Sequence, residues 1–590
     1  MALFTPSESP AVVVKEIDLT GGVPNVQTST GAVVGNFRWG PVEERVLIAN
    51  EQQLIDTFAT PDTSNSISFH TAAYFTRYSN AMQTVRVLDS DASNAVATTG
   101  QTSSYAVGGY TNPVVKNSSN FTAQKSALDS DGHTWVARYP GALGNSLAVH
   151  VCPQSTSDSA FNNWAYKSNF DAAPGTSAYA SDRDGSNDEM HIAVVDKNGV
   201  FSGTKGTVLE TYPYVSVAID AKSDDGSTNY AIDVINARSE YVHQVDWDSA
   251  FQTDGAAGIA LTPGAAINFQ GNNGDTKMYT FDSGADATGI RAAEFLEGYD
   301  LFEDKDQVEI DFLIAPSFTT STTQTTIVND LVSTAVARKD CVVVTSPARD
   351  DIINLTNETT ITNNIVATVA NFTKSSYLII DGNYLKVYDK YNDQYIQIPA
   401  SSSTAGLMAE TDRVSAPWFS PAGQRRGQYL GVTSIDYNPN KTNRDTLYKA
   451  GINPVVNMAG SGAMLFGDKT ALNRPSAFDR INVRRLFLVL ERAIARAAEG
   501  VLFEFNDEFT RAEFVNIIEP VLRDVKGRRG ITDFRIVADT TVNTPEVIDR
   551  NEFIANIFIK PARSINYVTL NFVAVRTGVD FTEVVGSAGV

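Results

Sequence analysis

The end of the chain places the strongest constraint on what it can become. Residues 553–560 (FIANIFIK) and 565–576 (INYVTLNFVAVR) are apolar on alternate positions, the period of a half-buried strand. Only Pro561-Ala562-Arg563-Ser564 separates them, and after Gly578 come residues 579–585 (VDFTEVV) and a small-residue tail. A chain that finishes in a strand and an extended arm leaves unpaired N–H and C=O groups, a template onto which another chain can add. The same pattern also reads as a C-terminal hairpin with a frayed tail. At the other end, residues 11–18 (AVVVKEID) form an isolated strand candidate, cut off by Gly21-Gly22 and Pro24, and read as a second arm.

Length and composition limit the alternatives. With 590 residues the chain exceeds one core and suggests several domains. No apolar run is long enough for a membrane span, and the N-terminus lacks the pattern of a secretory signal. Cys152 and Cys341 form neither a disulfide framework nor a Cys-x-x-Cys site and read as buried thiols of a reducing compartment. The net charge of −22 argues against a nucleic-acid binder, which needs a basic face. That charge is uneven. Between Ala471 and Leu570 stand 15 basic and 14 acidic side chains; the rest holds 31 and 54 of the totals of 46 and 68. The near-neutral, Arg-rich segment is where an acidic partner would be met.

Along the chain the texture changes twice. Strands are expected at 31–37, 46–49 and 85–88, with helices over 51–58, capped by Asn50, and 67–78. From about 90 to 288, residues rich in Ser, Thr, Asn, Asp and Gly predict short strands (135–138, 147–151, 191–195, 214–219) between frequent turns, as insertions into a core that resumes later. From 289, helices (290–296, 326–338, 362–372) alternate with strands (308–315, 341–345, 377–380), a layered αβ pattern. Asp381-Gly382-Asn383 is expected to turn the last of these into a hairpin with 384–388. Residues 478–498 give the best helix. Val483, Leu486, Phe487, Leu490, Ala493, Ile494 and Ala497 make its core stripe, and Arg485, Arg492 and Arg496 share another face. A second helix, capped by Asn506 or Asp507, runs to about 518, where Pro520 disturbs it; Gly527-Arg528-Arg529-Gly530 is a basic turn before strands that begin at 531.

Chemistry is sparse. Residues 462–470 (GAMLFGDKT) approach a phosphate-binding loop, but one residue is extra and it is Asp468, whose carboxylate would repel the phosphates; a Gly-rich hairpin or a loop between two elements accounts for them better. The five histidines (His70, His133, His150, His191, His243) lack metal-ligand spacing. Residues 182–189 carry oxygen ligands at calcium-like intervals without the full twelve-residue loop, and read as a solvated turn. Gly-x-Ser-x-Gly is absent. No catalytic residue, cofactor or metal is expected.

An ordered series of motifs carries a resemblance. It comprises Trp418-Phe419-Ser420-Pro421-Ala422-Gly423, Arg426-Gly427, Leu447-Tyr448, Gly451-Ile452-Asn453-Pro454, Gly467-Asp468-Lys469-Thr470 and Ile481-Asn482-Val483-Arg484-Arg485-Leu486. It closes with Arg563-Ser564-Ile565-Asn566 and Val573-Ala574-Val575-Arg576-Thr577-Gly578-Val579. Together with Gly35–Pro41 (GNFRWGP), this series closely resembles the tail sheath proteins of contractile-tailed bacteriophages. The likeness is strong over about 416–585, good over 7–88 and 299–347, and weak over 90–288.

The resemblance implies an α+β and α/β multidomain fold. Its inner α/β core is built from N-terminal and C-terminal segments, with β-rich outer insertion domains and extended terminal arms. The expected division is 1–22 N-terminal arm, 23–89 core segment, 90–288 outer insertion, 289–413 αβ middle domain, 414–577 C-terminal inner sheath domain and 578–590 C-terminal arm. It further implies stacked hexameric rings in a six-start helical array around a tail tube, with baseplate and tail terminator proteins as further partners. The chain would be a virion component assembled in the host bacterial cytoplasm. The arms, with Val12, Val13, Val14 and Ile17 at one end and Val579, Phe581 and Val584 at the other, would pair with a neighbour's sheet. That receiving sheet would include Phe553, Ile557, Ile559, Val568, Leu570 and Phe572. Arg485, Arg492, Arg496, Arg528 and Arg529 are the candidates for facing the tube, with a solvated face or intersubunit salt bridges as the other reading of the helix arginines. An enzyme on the αβ core and a host-binding surface protein stand as weaker readings, the first lacking its phosphate loop.

Overall fold

A computed structural model describes residues 29–97, 113–247, 258–261, 263–264, 266–269, 276–286, 291–458 and 460–564. The arm residues Val12, Val13, Val14, Ile17, Val579, Phe581 and Val584 lie outside these, as do Val568, Leu570 and Phe572.

The first strands are β1 (Gly31–Gly35), β2 (Arg45–Ile48) and β3 (Met82–Arg86). Between β2 and β3 run helices Glu51–Phe58 and Ser66–Phe75. The first begins as expected, with Asn50 Oδ1 accepting the Gln53 N–H at 2.9 Å. After β3 the chain departs into an all-antiparallel sheet of β4 (Val96–Ala97), β5 (Trp135–Ala137), β6 (Leu147–Pro153), β7 (Glu189–Asp196), β8 (Thr207–Ser216), β9 (Val242–Gln244) and β10 (Lys277–Asp282), in the order β8-β7-β6-β10-β4-β5-β9. Trp135, Val149, Val151, Ile192, Val194, Tyr279 and Phe281 form its core. Helix Ser118–Ser130, hidden in the sequence because it buries only Phe121 and Leu128, belongs to this region. The strand expected at 214–219 instead ends at Ser216.

The chain then returns to complete the first sheet with β11 (Phe312–Ile314), β12 (Val342–Thr345) and β13 (Leu378–Ile380). Helices Ser321–Arg338 and Glu358–Ala370 make the crossovers, so the six strands lie in the order β13-β12-β11-β1-β3-β2, parallel except for β2. Both faces are buried. Val34, Leu313, Val343 and Ile380 meet Ile327, Leu331 and Ile365 of the crossover helices, while Val33, Phe312, Ile314, Val342, Val344 and Ile379 meet Phe69, Phe75, Met408 and Ile481. Two-sided burial explains why these strands read as unbroken apolar runs rather than alternating ones. Each such side chain contributes about 1.5–3 kcal/mol on leaving water.

The expected hairpin after β13 does not form. β14 (Tyr384–Asp389) pairs with β15 (Gln394–Pro399) and β16 (Ser434–Ile435) in a separate sheet. Between β13 and β14, Asp381 N–H donates to Thr345 O (3.0 Å) and Asn383 Nδ2 to Tyr437 O (2.6 Å). The first bond extends the β12–β13 ladder by one rung and the second ties the turn to Tyr437, so the chain leaves the first sheet without folding back on β13. Helix Ser401–Val414, unmarked in the sequence by its Ser-Ser-Ser-Thr start, covers the second face, and Gly406 has no room for a side chain because a Cβ would stand 2.3 Å from the Tyr78 ring. β17 (Val455–Met458) and β18 (Gly462–Leu465) form a hairpin, so the near-phosphate segment 462–470 begins as the hairpin's second strand and continues as a connecting loop.

The structure divides into two compact units. The larger holds residues 29–417 with Pro421–Ala493, and the smaller holds 494–564 with Trp418–Ser420. The boundary therefore falls inside helix Ile481–Glu499, not near 414, because Ala405, Met408, Ile481 and Leu488 bury themselves in the same cluster as the first sheet. The six strands of that sheet come from the N-terminal and middle segments; the C-terminal segment supplies helix residues to its face, not strands.

The smaller unit packs helix Glu508–Gly527 through Phe514, Ile518, Leu522 and Val525, and pairs β19 (Ile531–Val537) with β20 (Asn556–Pro561). Asp507 caps that helix, its carboxylate accepting the Thr510 N–H at 2.8 Å. Pro520 does not end it. The proline is exposed and the apolar stripe continues past it, which offsets the roughly 3 kcal/mol lost with one backbone bond. Phe553 lies before β20 rather than in it and packs edge-on against Phe514, ring centroids 5.1 Å apart. Ile557 and Ile559 do lie on β20, alternating with outward Phe558 and Lys560.

One buried charge joins the first sheet to the region that follows it. Arg86, at the end of β3, is fully buried and donates to the carbonyls of Phe37 (2.7 Å), Arg38 (3.1 Å), Gly40 (2.8 Å) and Pro140 (2.7 Å). Burial lowers its pKa to about 9, which leaves it charged at neutral pH. Arg86→Met should therefore cost about 3 kcal/mol or more, because several buried carbonyls lose their donor at once. Urea unfolding followed by tryptophan fluorescence checks this; a loss below about 1 kcal/mol would remove Arg86 from the joint.

Candidate functional site

Three places could carry function: the carboxyl end of the parallel sheet, the arginine face of the long helix, and the C-terminal strands.

In a parallel sheet, ligands bind outside the carboxyl ends of the strands where the order reverses, here between β1 and β11. The cavity there measures about 30 Å³ and is lined by residues including Val33, Ser68, Thr71, Phe295, Ile314 and Ser317. That is space for a water or two. Its polar groups are already engaged: Ser68 Oγ donates to Asn36 Oδ1, and the Ser317 hydroxyl lies 2.6 Å from that of Tyr384. Asp468 of the near-phosphate loop is held by Arg480 Nη1 at 2.8 Å, and the Lys469 N–H donates to Asn453 Oδ1 at 2.7 Å. That backbone is spent on internal bonds, not offered to an anion.

Further along the same sheet end, Asp381 is fully buried beside the Ser346 hydroxyl (2.7 Å) and the Thr404 hydroxyl (3.2 Å), both of which donate to it. Burial outweighs these donors and pushes the carboxyl up to about 7. His70 sits 3.3 Å from Asp389, whose other oxygen accepts from Ser66 Oγ; burial lowers the imidazole to about 4, so it stays neutral. Buried thiols follow the same rule, and Cys152 is raised to about 12. Among the described residues no group of three or more His, Cys, Asp or Glu could hold a metal ion. Within the Asp-rich turn 182–189, Asp188 accepts from the Ser177 N–H and from the Ser177 and Ser216 hydroxyls.

The helix arginines are occupied inward, which corrects the expectation for two of them. Arg485 forms a two-pronged pair with Asp412, both contacts at 2.5 Å and each side chain 6% exposed; Nη1 also donates to Met408 O. Arg492 binds Asp311 at 2.8 Å and donates to the Ile310 and Asp340 carbonyls. Asp311 in turn accepts the Thr30 N–H at 2.9 Å, linking helix, β11 and the start of β1. Arg484, not singled out in the sequence, lies 4.1 Å from the Phe478 ring and 4.3 Å from that of Tyr377. The i, i+7 spacing of Arg485 and Arg492 describes a clamp on the sheet, since surface exposure does not follow from spacing. Arg496 is half-buried, whereas Arg528 and Arg529 are exposed. Arg528 stacks 5.0 Å from the Trp418 ring, whose Nε1 donates to Arg528 O at 3.0 Å.

The comparisons fit this geometry. Two solved structures share the fold over most of the chain. The sheath tail protein from Listeria innocua superposes with a TM-score of 0.52, covering 91% of this chain and 93% of its own at 12% identity. That from Desulfitobacterium hafniense gives 0.51, 94% and 100%, also at 12%. Residues 287–471 match the phage tail sheath protein central domain and residues 473–574 the phage tail sheath C-terminal domain. The tail sheath protein of Enterobacteria phage T4 is 33% identical over 667 residues, covering 98% of this chain and 99% of its own length; that of Vibrio phage KVP40 is 32% identical over 98% and 99%. The chain belongs to the tail sheath protein family of contractile phage tails, a family of structural proteins.

Two outcomes test these assignments. Between pH 4 and 7 the folded chain keeps the Asp381 proton that the unfolded chain, titrating near 3.8, has released, so this group's contribution to stability falls as pH rises. Asp381→Asn should remove that slope, gaining roughly 4 kcal/mol on the parent between pH 4 and 8 in urea titrations. The clamp predicts that Arg485→Met and Arg492→Met each cost about 3–5 kcal/mol, while Arg529→Ala stays within about 0.5 kcal/mol.

Proposed function

We propose that this chain polymerises as stacked hexameric rings in a six-start helical array around a tail tube, and contracts to drive that tube through the host envelope. Full-length likeness to tail sheath proteins, 33% identical to that of phage T4, carries the reading. Its partners are further copies of itself, the tail tube protein, and baseplate and tail terminator proteins; its place is the virion, after assembly in the host bacterial cytoplasm. No helix among the described residues is long and apolar enough to cross a membrane. The force is mechanical and stored in packing, with no catalytic step.

The linkage runs through the termini. The N-terminal arm (1–22), through Val12, Val13, Val14 and Ile17, and the C-terminal arm (578–590), through Val579, Phe581 and Val584, add strands to a neighbour's sheet. The receiving sheet is the one that holds Ile557 and Ile559, extended by Val568, Leu570 and Phe572. Two observations support this. β19 and β20 are a pair, and a two-stranded ribbon gains from another strand. Backbone pairing is also indifferent to side-chain identity, so threaded arms survive sliding and rotation of the bodies. A head-to-tail contact that does not close on itself propagates into a helix. Contraction then requires two packings of one subunit. For the tube, Arg528 and Arg529 keep the role of facing candidates, with Arg496 beside them.

Deleting 1–18 or 578–590 should abolish long regular sheaths while leaving the subunit folded, as read by negative-stain microscopy and circular dichroism. Sheaths of normal length from both deletions would sink the arm linkage.

A further inference from the structure

The loop between the two long helices, residues 500–507, exposes an apolar cluster at a cost. Leu502, Phe503, Phe505 and Phe509 are 61%, 105%, 84% and 77% exposed. Phe503 also stands at φ 71°, a left-handed conformation that a bulky side chain disfavours. The loop is anchored all the same. Asn506 Nδ2 donates to Glu552 O at 2.7 Å, the buried Arg511 guanidinium donates to Asn506 Oδ1 at 2.8 Å, and Asp507 caps the following helix. Glu499, Glu504, Asp507 and Glu508, all exposed, flank and interrupt these residues in sequence and give the segment negative charge.

The other end of the same helix has the opposite character. Lys526, Gly527, Arg528 and Arg529 form an exposed basic turn. Lys526 and Arg528 share their charge with Asp533 (3.1 Å) and Asp524 (3.7 Å), and Arg529 stands outermost at φ 66°. Twenty helical residues separate the two ends by about 30 Å, so one copy cannot join them.

We propose that the acidic phenylalanine loop of one copy docks on the basic turn of the next, which takes Arg528 and Arg529 from the tube and leaves Arg496 as the tube-facing candidate: a second intersubunit contact beside the strand exchange. It rests on the reading that the chain polymerises, and it names the partner of this surface: a second copy of this chain. Guanidinium groups stack on aromatic faces, and aromatics with arginine are enriched at the centres of protein interfaces, while carboxylates pair with the remaining charge at the rim. The contact is head-to-tail, so it extends along an assembly and does not close a pair.

The test compares full-length variants by the lowest protein concentration that yields sheaths, counted by negative-stain microscopy. Phe503→Ser with Phe505→Ser, Glu504→Lys, and Arg529→Glu should each raise it about tenfold. The combined Glu504→Lys, Arg529→Glu variant should recover at least part of the loss. All four side chains are exposed, so unchanged melting curves check the fold. Parent-like assembly by the phenylalanine variant, or a combined variant no better than the single ones, overturns the contact. So does a defect seen only when tail tube protein is added, which would assign the loop to the tube. If the parent forms sheaths and the arm deletions do not, failure of the loop variants to differ condemns this contact alone; if the parent forms none, the polymer reading falls with it.

Discussion

The pairing of β1 with β11 is the constraint on which the rest of the larger unit depends. Gly31, Ala32 and Val33 lie in register with Phe312, Leu313 and Ile314. A parallel pair needs a long connection, and this one must accommodate everything from β2 to β10. The intervening antiparallel sheet is therefore a closed excursion with its own core, entered after β3 and left after β10. Arg86 fixes the point of departure by binding carbonyls on both sides of it, at Phe37 and at Pro140. The ion pair of Asp311 with Arg492 and its bond to the Thr30 N–H then hold the long helix against the same strand pair.

Much of this was legible in the sequence, for identifiable reasons. Long segments with strong periodicity, such as 326–338 and 478–498, and apolar runs such as Val342–Thr345 announced themselves because burial demands them. Asn50 declared its helix through a local bond that needs no tertiary context. What escaped was decided by distant partners. The Ser401–Val414 helix begins with four buried polar residues, which no local pattern assigns to a core. The turn at Asp381 was read as a hairpin because its composition permits one, whereas Tyr437, far away in the chain, ties it elsewhere through Asn383.

The arginines show the same limit at the level of function. Charge spacing on a helix reports which side chains share a face, and not whether that face meets water. Arg485 and Arg492 turned out to be desolvated and paired, so their charge serves cohesion within one subunit. Such pairs contribute little beyond an apolar substitute but are costly to break. Exposed charge of opposite sign stands at the two ends of the smaller unit's long helix, where the sequence marked only the basic turn.

The long excursion between β1 and β11 also has a meaning in time. During synthesis β1 can pair with β3 early, but its other edge stays open until Phe312 leaves the ribosome. At 5–20 residues per second that interval is roughly 10 to 45 seconds. The nascent subunit thus carries an unsatisfied parallel edge while the antiparallel region folds beside it. The order of emergence therefore leaves that edge open to premature pairing with another chain until β11 arrives.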